Sequence, residues 1–138
     1  MALVVISALL FGLLEAVAWM EREAERSRVR EVVARLELGL KAEAGSRIAR
    51  GQEAAVRALA GTNPVRWLEQ PPGGYRGEYA GAAPASLQLG YWYFDRRAGA
   101  LMYVPILSDS GSERLGFEVV VEGGLPRMRP TGATGWLE

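Results

Sequence analysis

The sequence contains no cysteine and no histidine. The absence of cysteine excludes a disulfide framework, an iron–sulfur cluster and a thiolate zinc site. The absence of histidine removes the commonest general base and the commonest metal ligand of proteins. The 16 basic and 16 acidic side chains give a formal net charge of zero, which lacks the positive surplus typical of nucleic-acid-binding proteins. We therefore expect no enzyme activity, no nucleic-acid partner, and no cofactor, metal ion or small-molecule substrate.

The 138 residues allow one domain, but the apolar side chains are concentrated at the beginning of the chain. Residues 2–20 read ALVVISALLFGLLEAVAWM, and only Ser7, Gly12 and Glu15 interrupt the apolar run. As a helix this segment is roughly 28 Å long, which is close to the hydrocarbon thickness of about 30 Å in a bilayer. Trp19 lies where an amphipathic ring suits the headgroup boundary, and a charged run follows directly. The segment therefore predicts a transmembrane helix.

Two other interpretations of this apolar segment stay open. A cleaved signal peptide would have its cleavage site at the Ala-Val-Ala of residues 16–18, but no Lys or Arg precedes the apolar run. A buried core helix of a soluble protein is the other alternative. Glu15 either lies near enough to the membrane boundary to reach water or pairs with a cation of a partner subunit.

Residues 21–60 predict an amphipathic helix that continues the apolar one. Their apolar side chains recur every three or four residues and so form one stripe of a helix, at Val29, Val33, Leu36, Leu40, Ala44 and Ile48. Glycines at 39, 45 and 51 predict bending or local fraying, and Gly61 with Asn63-Pro64 predicts the end of the helix. A helix from about residue 3 to residue 60 would be about 85 Å long, so its second half must bury the stripe against something.

The rest of the chain predicts a small sheet. Residues 61–90 are rich in proline, glycine and aromatic side chains, which favours a connecting loop. Residues 91–94 and 100–106 predict a hairpin, and residues 115–122 predict a third strand. We expect an irregular tail from residue 125. The sequence thus predicts an α+β fold in which a long N-terminal helix, membrane-spanning in its first half, packs its amphipathic second half on a small antiparallel sheet.

Several segments resemble type IV pilins and the pseudopilins of type II secretion systems. ALVVISALLFGLL is similar to the apolar part of the pilin N-terminal segment, and REAERSRVREVVARLELGLKAE is similar to the helix that follows it. NPVRWLEQPPGGYRGEY followed by YWYFDRRAGALMYVP resembles a group of minor pilin-like proteins. The residues that carry this motif are Asn63, Pro64, Trp67, Pro71, Pro72, Tyr75, Gly77, Glu78, Trp92, Tyr93, Phe94 and Asp95.

The resemblance implies a structural subunit that assembles through its N-terminal helix. Its partners would be membrane lipid, other pilin or pseudopilin subunits and an assembly platform in the inner membrane. Residues 1–20 would span the inner membrane once, and residues 21–138 would form one periplasmic domain, with 91–138 as its sheet and tail. The residues expected to contact lipid or neighbouring subunits are Leu3, Val4, Ile6, Leu9, Gly12, Leu13, Glu15 and Ala16. The alternative function is a single-pass, membrane-anchored binding or scaffold protein that forms no filament.

The chain departs from the family at its beginning. Prepilins carry a basic leader that ends in glycine, followed by Phe-Thr-Leu-x-Glu, whereas this chain begins Met1-Ala2-Leu3. Glu15 is too far along the helix to take the role of the family's glutamate near the mature N-terminus. We expect the natural start to lie upstream of Met1, and we assign neither leader cleavage nor N-methylation to this chain.

Overall fold

The computed structural model describes residues 1–81, 89–106 and 114–132. Two α-helices, two 3₁₀ turns and five strands follow one another in these ranges. The helices are α1 (Ala2–Ala49) and α2 (Glu53–Val56), and the 3₁₀ turns are Arg57–Leu59 and Pro64–Trp67. The strands are β1 (Tyr75–Tyr79), β2 (Tyr91–Asp95), β3 (Ala100–Val104), β4 (Leu115–Glu122) and β5 (Leu125–Thr131).

The fold is α+β, as the sequence predicts: one long N-terminal helix packs on a sheet. Within the described residues the sheet has five strands in the order β1-β2-β3-β4-β5. Strands β2 to β5 are antiparallel to their neighbours, with Phe94 opposite Leu101 and Val119 opposite Met128. The sheet is nevertheless mixed, because β1 pairs with β2 in parallel.

Strand β1 corrects the prediction that residues 61–90 form only a connecting loop. The segment reads as a loop because prolines and glycines precede it and Gly77 interrupts it. Gly74 makes the pairing possible: its φ is +81°, and a Cβ there would lie 2.8 Å from the Gly90 carbonyl oxygen. The Gly74 carbonyl accepts a hydrogen bond from the Trp92 amide (2.9 Å). A glycine that favours a loop in the sequence thus allows two backbones to approach closely.

Helix α1 ends at Ala49, so the expected continuous helix to residue 60 is wrong at its C-terminal end. The cause is Gly51, whose φ of +74° lies in the left-handed region that interrupts a right-handed helix. The chain turns there and begins α2. As a result Val56 and Leu59 are buried in the same cluster as α1 instead of extending its axis.

The main hydrophobic core lies between α1 and one face of the sheet. Helix α1 contributes Val29, Leu36, Leu40 and Ala44, all of them buried. The facing side chains include Trp92, Phe94, Leu101, Tyr103, Phe117, Val119 and Met128. Of the other two stripe residues, Val33 is partly buried against this cluster, whereas Ile48 is 41% exposed and lies outside it. Ile48 is the last residue but one of α1 and lines an open groove with Val121 and Leu125 of the β4–β5 hairpin.

The opposite face of the sheet has a smaller aromatic cluster. Tyr91, Tyr93 and Val104 are buried there, and Tyr79 packs against them. The rings of Tyr79 and Tyr93 meet edge to face, with their centroids 5.9 Å apart. Strand β2 is therefore buried on both faces from Tyr91 to Phe94, in agreement with its four consecutive aromatic residues.

Strand β5 corrects the expectation of an irregular tail. Its seven residues pair with residues 116–122 of β4, and Pro126 and Met128 are buried. The prolines at 126 and 130 argue against a strand in the sequence, but an edge strand tolerates them. Residues 107–113, between β3 and β4, and the end of the tail, residues 133–138, lie outside the described residues.

Leu40 and Leu38 give a matched test of the helix–sheet core. Leu40 is fully buried, whereas Leu38, two residues away on α1, is 67% exposed. We expect Leu40→Asp to destabilise the full-length chain in detergent micelles by at least about 3 kcal/mol, because it combines a lost leucine with a buried carboxylate. Thermal unfolding followed by circular dichroism measures this. Leu38→Asp should leave the melting temperature nearly unchanged, and equal effects of the two substitutions would contradict the packing described here.

Candidate membrane and assembly helix

The first part of α1 is an exposed apolar surface. All residues from 2 to 20 are exposed, including Leu9 (68%) and Leu13 (61%). The most apolar 18-residue window of α1 is not buried at all within the chain. No described part of the chain covers these side chains, and an exposed apolar surface of this extent is typical of a membrane or protein contact.

Length and composition make this part of α1 a candidate membrane span. Among the described residues α1 is the one helix long and apolar enough to cross a bilayer. A signal sequence near the N-terminus and the core helix of a soluble protein pass the same test. A core helix is mostly buried, however, and this window is not.

The residues expected to contact lipid or neighbouring subunits all lie on this exposed segment. They are Leu3, Val4, Ile6, Leu9, Gly12, Leu13, Glu15 and Ala16. At Gly12 an added Cβ would meet nothing within 4 Å, so packing inside the chain does not require a glycine there. A glycine on an exposed helix face lets another helix approach closely. Glu15 lies six residues before Glu21, or about 9 Å along the axis.

The charged run after the apolar segment divides into exposed and buried side chains. Glu23 is half-exposed and forms an ion pair with Arg30 (3.4 Å). Glu25 is only 1% exposed, although it lies two residues further along the same helix. The run that ends the apolar segment therefore includes one acidic side chain that is buried in the domain.

Glu25 joins α1 to the end of β3. One of its carboxylate oxygens, Oε1, accepts hydrogen bonds from the Tyr103 hydroxyl (2.9 Å) and from the Ile106 backbone amide (2.7 Å). Burial, together with this neighbouring carboxylate, raises the pKa of Tyr103 well above its usual range, so the hydroxyl keeps its proton and donates it. Glu25 therefore fixes α1 at the point where the helix leaves the sheet.

The sequence contains a signal for this position that the hydropathy pattern conceals. Glu25 lies four residues before Val29, so it continues the buried stripe by one helical turn. The apolar residues of the stripe begin at Val29, so hydropathy alone does not include Glu25. Its polar partner could not be foreseen, because Tyr103 is 78 residues away in the chain.

A second set of contacts joins the lower part of α1 to the 3₁₀ turn Pro64–Trp67. Gly39 allows this approach, because a Cβ there would lie only 3.0 Å from the Trp67 carbonyl oxygen. The guanidinium of Arg47 lies over the Trp67 ring, 5.2 Å from its centroid. Arg47 also donates hydrogen bonds to Glu43 (2.9 Å) and to the Ala55 carbonyl (2.6 Å). The conformation of the connector is thus tied to the helix.

Three residues of the pilin-like motif meet in one hydrogen-bond network. The Asn63 side-chain amide donates to the Tyr75 hydroxyl (2.7 Å) and to a Glu78 carboxylate oxygen (3.0 Å). Its own oxygen accepts from the Val65 amide (3.1 Å) and so caps the 3₁₀ turn. Hydrogen bonds from Asn63 and Arg66 lower the pKa of Glu78, and burial raises the pKa of Tyr75. The network holds the connector against β1.

The other motif residues are also structural. Trp92 and Phe94 point into the main core, and Tyr93 lies in the cluster on the opposite face. The Asp95 carboxylate accepts hydrogen bonds from the amides of Arg97 (2.9 Å) and Ala98 (3.2 Å) at the hairpin turn. Pro64 and Pro72 are buried, Trp67 is partly buried, Pro71 is exposed, and Gly77 adopts a φ of +100°. Each of these contacts stabilises the domain, and none of them brings reactive groups together.

In the part of the chain that the structure describes, the acidic side chains form no group of three or more that could hold a metal ion. Comparisons of the chain with family models, with curated proteins and with solved structures found no match. The pilin resemblance therefore depends on the residues quoted above and on the architecture alone.

Removing the Glu25 carboxylate tests its role in joining helix and sheet. Glu25→Ala leaves the Tyr103 hydroxyl and the Ile106 amide without that acceptor. We expect it to lower the free energy of unfolding by at least about 2 kcal/mol, because two buried donors lose their acceptor. Urea unfolding of the full chain in micelles measures the change. The matched control Glu23→Ala should cost less than about 0.5 kcal/mol, as exposed ion pairs contribute little; similar costs for the two would contradict this role.

The Asn63 network predicts a specific pH dependence. Because the pKa of Glu78 is lowered in the folded state, its contribution to stability is present above about pH 4.3 and is lost as the pH falls through the folded pKa. Asn63→Asp keeps the cap but places a second carboxylate beside Glu78. We expect it to destabilise the protein by about 2 kcal/mol at pH 7 and by less near pH 4, where the carboxylates become protonated.

Melting temperatures measured at the two pH values check this prediction. Asn63→Ser is the control, since it keeps a capping oxygen and adds no charge. The difference between its melting temperature and that of the wild type should shrink less from pH 7 to pH 4 than the difference for Asn63→Asp. If Asn63→Asp lowers the melting temperature equally at pH 7 and at pH 4, the predicted repulsion between its carboxylate and Glu78 is ruled out.

Proposed function

We propose that this chain is a pilin-like structural subunit of a type IV pilus or of a type II secretion pseudopilus. One observation carries the proposal: a single 48-residue helix is exposed and largely apolar over residues 2–20 and packs on a sheet over its second half. The motif from Asn63 to Asp95, which resembles that of minor pilin-like proteins, supports it.

In a bilayer, the apolar half of α1 satisfies its own backbone hydrogen bonds and exposes mainly apolar side chains to lipid. The Ser7 hydroxyl donates to the Leu3 carbonyl (2.7 Å), and Glu15 is the one charged residue of the segment. After extraction from the membrane, the same surface can pack against the equivalent helices of other subunits. Head-to-tail contacts of this kind do not close on themselves and so generate a helical filament. Gly12 and Ala16 provide small side chains where neighbouring helices need to approach closely.

The proposal includes a location and partners. Before assembly, α1 would cross the inner membrane once, with the sheet domain on the periplasmic side. The partners would be lipid, other pilin or pseudopilin subunits and the assembly platform of the inner membrane. We propose no catalytic role, and no cofactor, substrate or nucleic acid.

The contacts of the second half of α1 suit such a subunit. Glu25 at the upper end of the sheet and Gly39 opposite Trp67 hold α1 at two points along its axis. A helix fixed at two points has a defined direction relative to the domain. Every copy would therefore present its apolar half to its neighbours in the same geometry.

Photo-crosslinking from the apolar half of α1 tests the proposal in cells that make the chain with its native system. A photoreactive amino acid at Leu9 should crosslink to a second copy or to another protein with a similar apolar N-terminal helix. The same group at Val29, which is buried, should crosslink within the chain. Sheared surface material should contain the Leu9 products.

Two results would contradict a filament subunit. If Leu9 crosslinks only to lipid, the chain fits the alternative of a single-pass anchored binding or scaffold protein. If the purified chain lacks residues 2–20, the segment is a cleaved signal sequence.

A further inference from the structure

Among the described strands, β5 lies at an edge of the sheet and pairs with β4 on one side only. An edge strand presents unpaired backbone groups, and these can pair with a strand of another molecule. Seven residues of β5 are in register with β4, which is long enough for such pairing. Whether another strand can pair here therefore depends on whether the outward-facing amides of β5 are free to donate hydrogen bonds.

The register shows which amides of β5 face outward. The Met128 amide donates to Oε2 of Glu37 on α1 (3.3 Å), so it points away from β4. Amides of a strand alternate in direction, so those of residues 126 and 130 would point the same way as that of Met128. Both positions are prolines, which have no amide hydrogen. Thus none of these three outward positions offers a free donor.

Glu37 is held in place for this interaction. Its other carboxylate oxygen accepts a hydrogen bond from Lys41, one turn along α1 (2.9 Å). The Lys41 ammonium, together with the Met128 amide, holds the pKa of Glu37 below its usual range, so the carboxylate is charged at neutral pH. The groove between α1 and the edge, about 490 Å³ in volume, is lined by Glu37, Met128 and Pro130 among others.

We infer that Glu37, Pro126 and Pro130 together close the β5 edge of the sheet to strand addition. Pro126 and Pro130 have no amide hydrogen to donate. Glu37, on α1, accepts the hydrogen bond of the third outward amide, that of Met128. Other copies or proteins then contact this edge through side chains and not by extending the sheet. The inference does not depend on the proposed function, because it is argued only from the backbone amides of β5 and from Glu37.

Opening the edge tests this inference in the full-length chain in detergent micelles. The opened variant combines Glu37→Leu, which cannot accept from Met128, with Pro130→Val, which restores an outward amide. Pro126 is fully buried and stays unchanged, so the core is not disturbed. The control variant combines Glu37→Gln, which can still accept, with Thr131→Val, whose amide faces β4. The two variants lose the same charge and gain one valine each.

Sedimentation velocity and amide hydrogen exchange give independent readouts. The opened variant should self-associate at a concentration at least about tenfold lower than the wild type, since two backbone donors become available for pairing. Its amides at residues 128 and 130 should exchange slowly only in the associated form. The control variant should behave as the wild type.

An opened variant that melts like the control and associates no more strongly overturns the inference. If the opened variant does not fold, the same two measurements are made on the single variant Pro130→Val. Pro130 is exposed, so replacing it disturbs little packing. A folded Pro130→Val chain whose new amide at residue 130 exchanges fast and whose association equals that of the wild type also overturns it. A lower association concentration with protection at residue 130 supports it.

Discussion

The apolar surface of α1 is larger than the chain itself can bury, and the rest of the structure follows from this. The sheet covers the helix from Val29 to Ala44. It leaves the 18 most apolar residues without any cover, even though they belong to the same continuous helix. Roughly 25 cal/mol for each Å² of apolar surface removed from water gives a strong drive to cover them. Within the described residues, the hydrophobic burial of α1 is therefore incomplete.

Polar contacts define where the covered part of α1 begins and how it is oriented. Glu25 is a buried carboxylate at the upper end of the sheet, and its acceptor oxygen binds two donors from the end of β3. Gly39 brings the turn that ends at Trp67 close to the helix. Hydrophobic contacts alone allow a helix to slide or rotate over a sheet, whereas directional hydrogen bonds to one carboxylate do not. The division of α1 into two halves thus has a fixed position in the sequence.

Hydrophobic periodicity predicted the elements whose buried residues recur at regular spacing. It failed where a single residue determines the end of an element or its contacts. The burial of Leu36 and Leu40 follows from helical spacing in this one sequence. The end of α1 depends on Gly51 alone, because only its left-handed backbone distinguishes it from glycines that stay helical. Edge strands tolerate prolines, so β5 looks irregular in sequence. Glu25 was missed because its partners are far away in the chain, and local patterns contain no long-range pairing.

Cysteine accessibility in lipid vesicles tests the central claim most directly, and the chain has no native cysteine to interfere. Single cysteines replace Leu9 and Leu13 in the apolar half, and Ser27 and Glu31 on exposed positions of the second half. A water-soluble maleimide should label residues 27 and 31 rapidly and leave residues 9 and 13 unlabelled until detergent is added. Equal labelling at all four positions in intact vesicles would contradict a helix divided between a bilayer or subunit core and a folded domain.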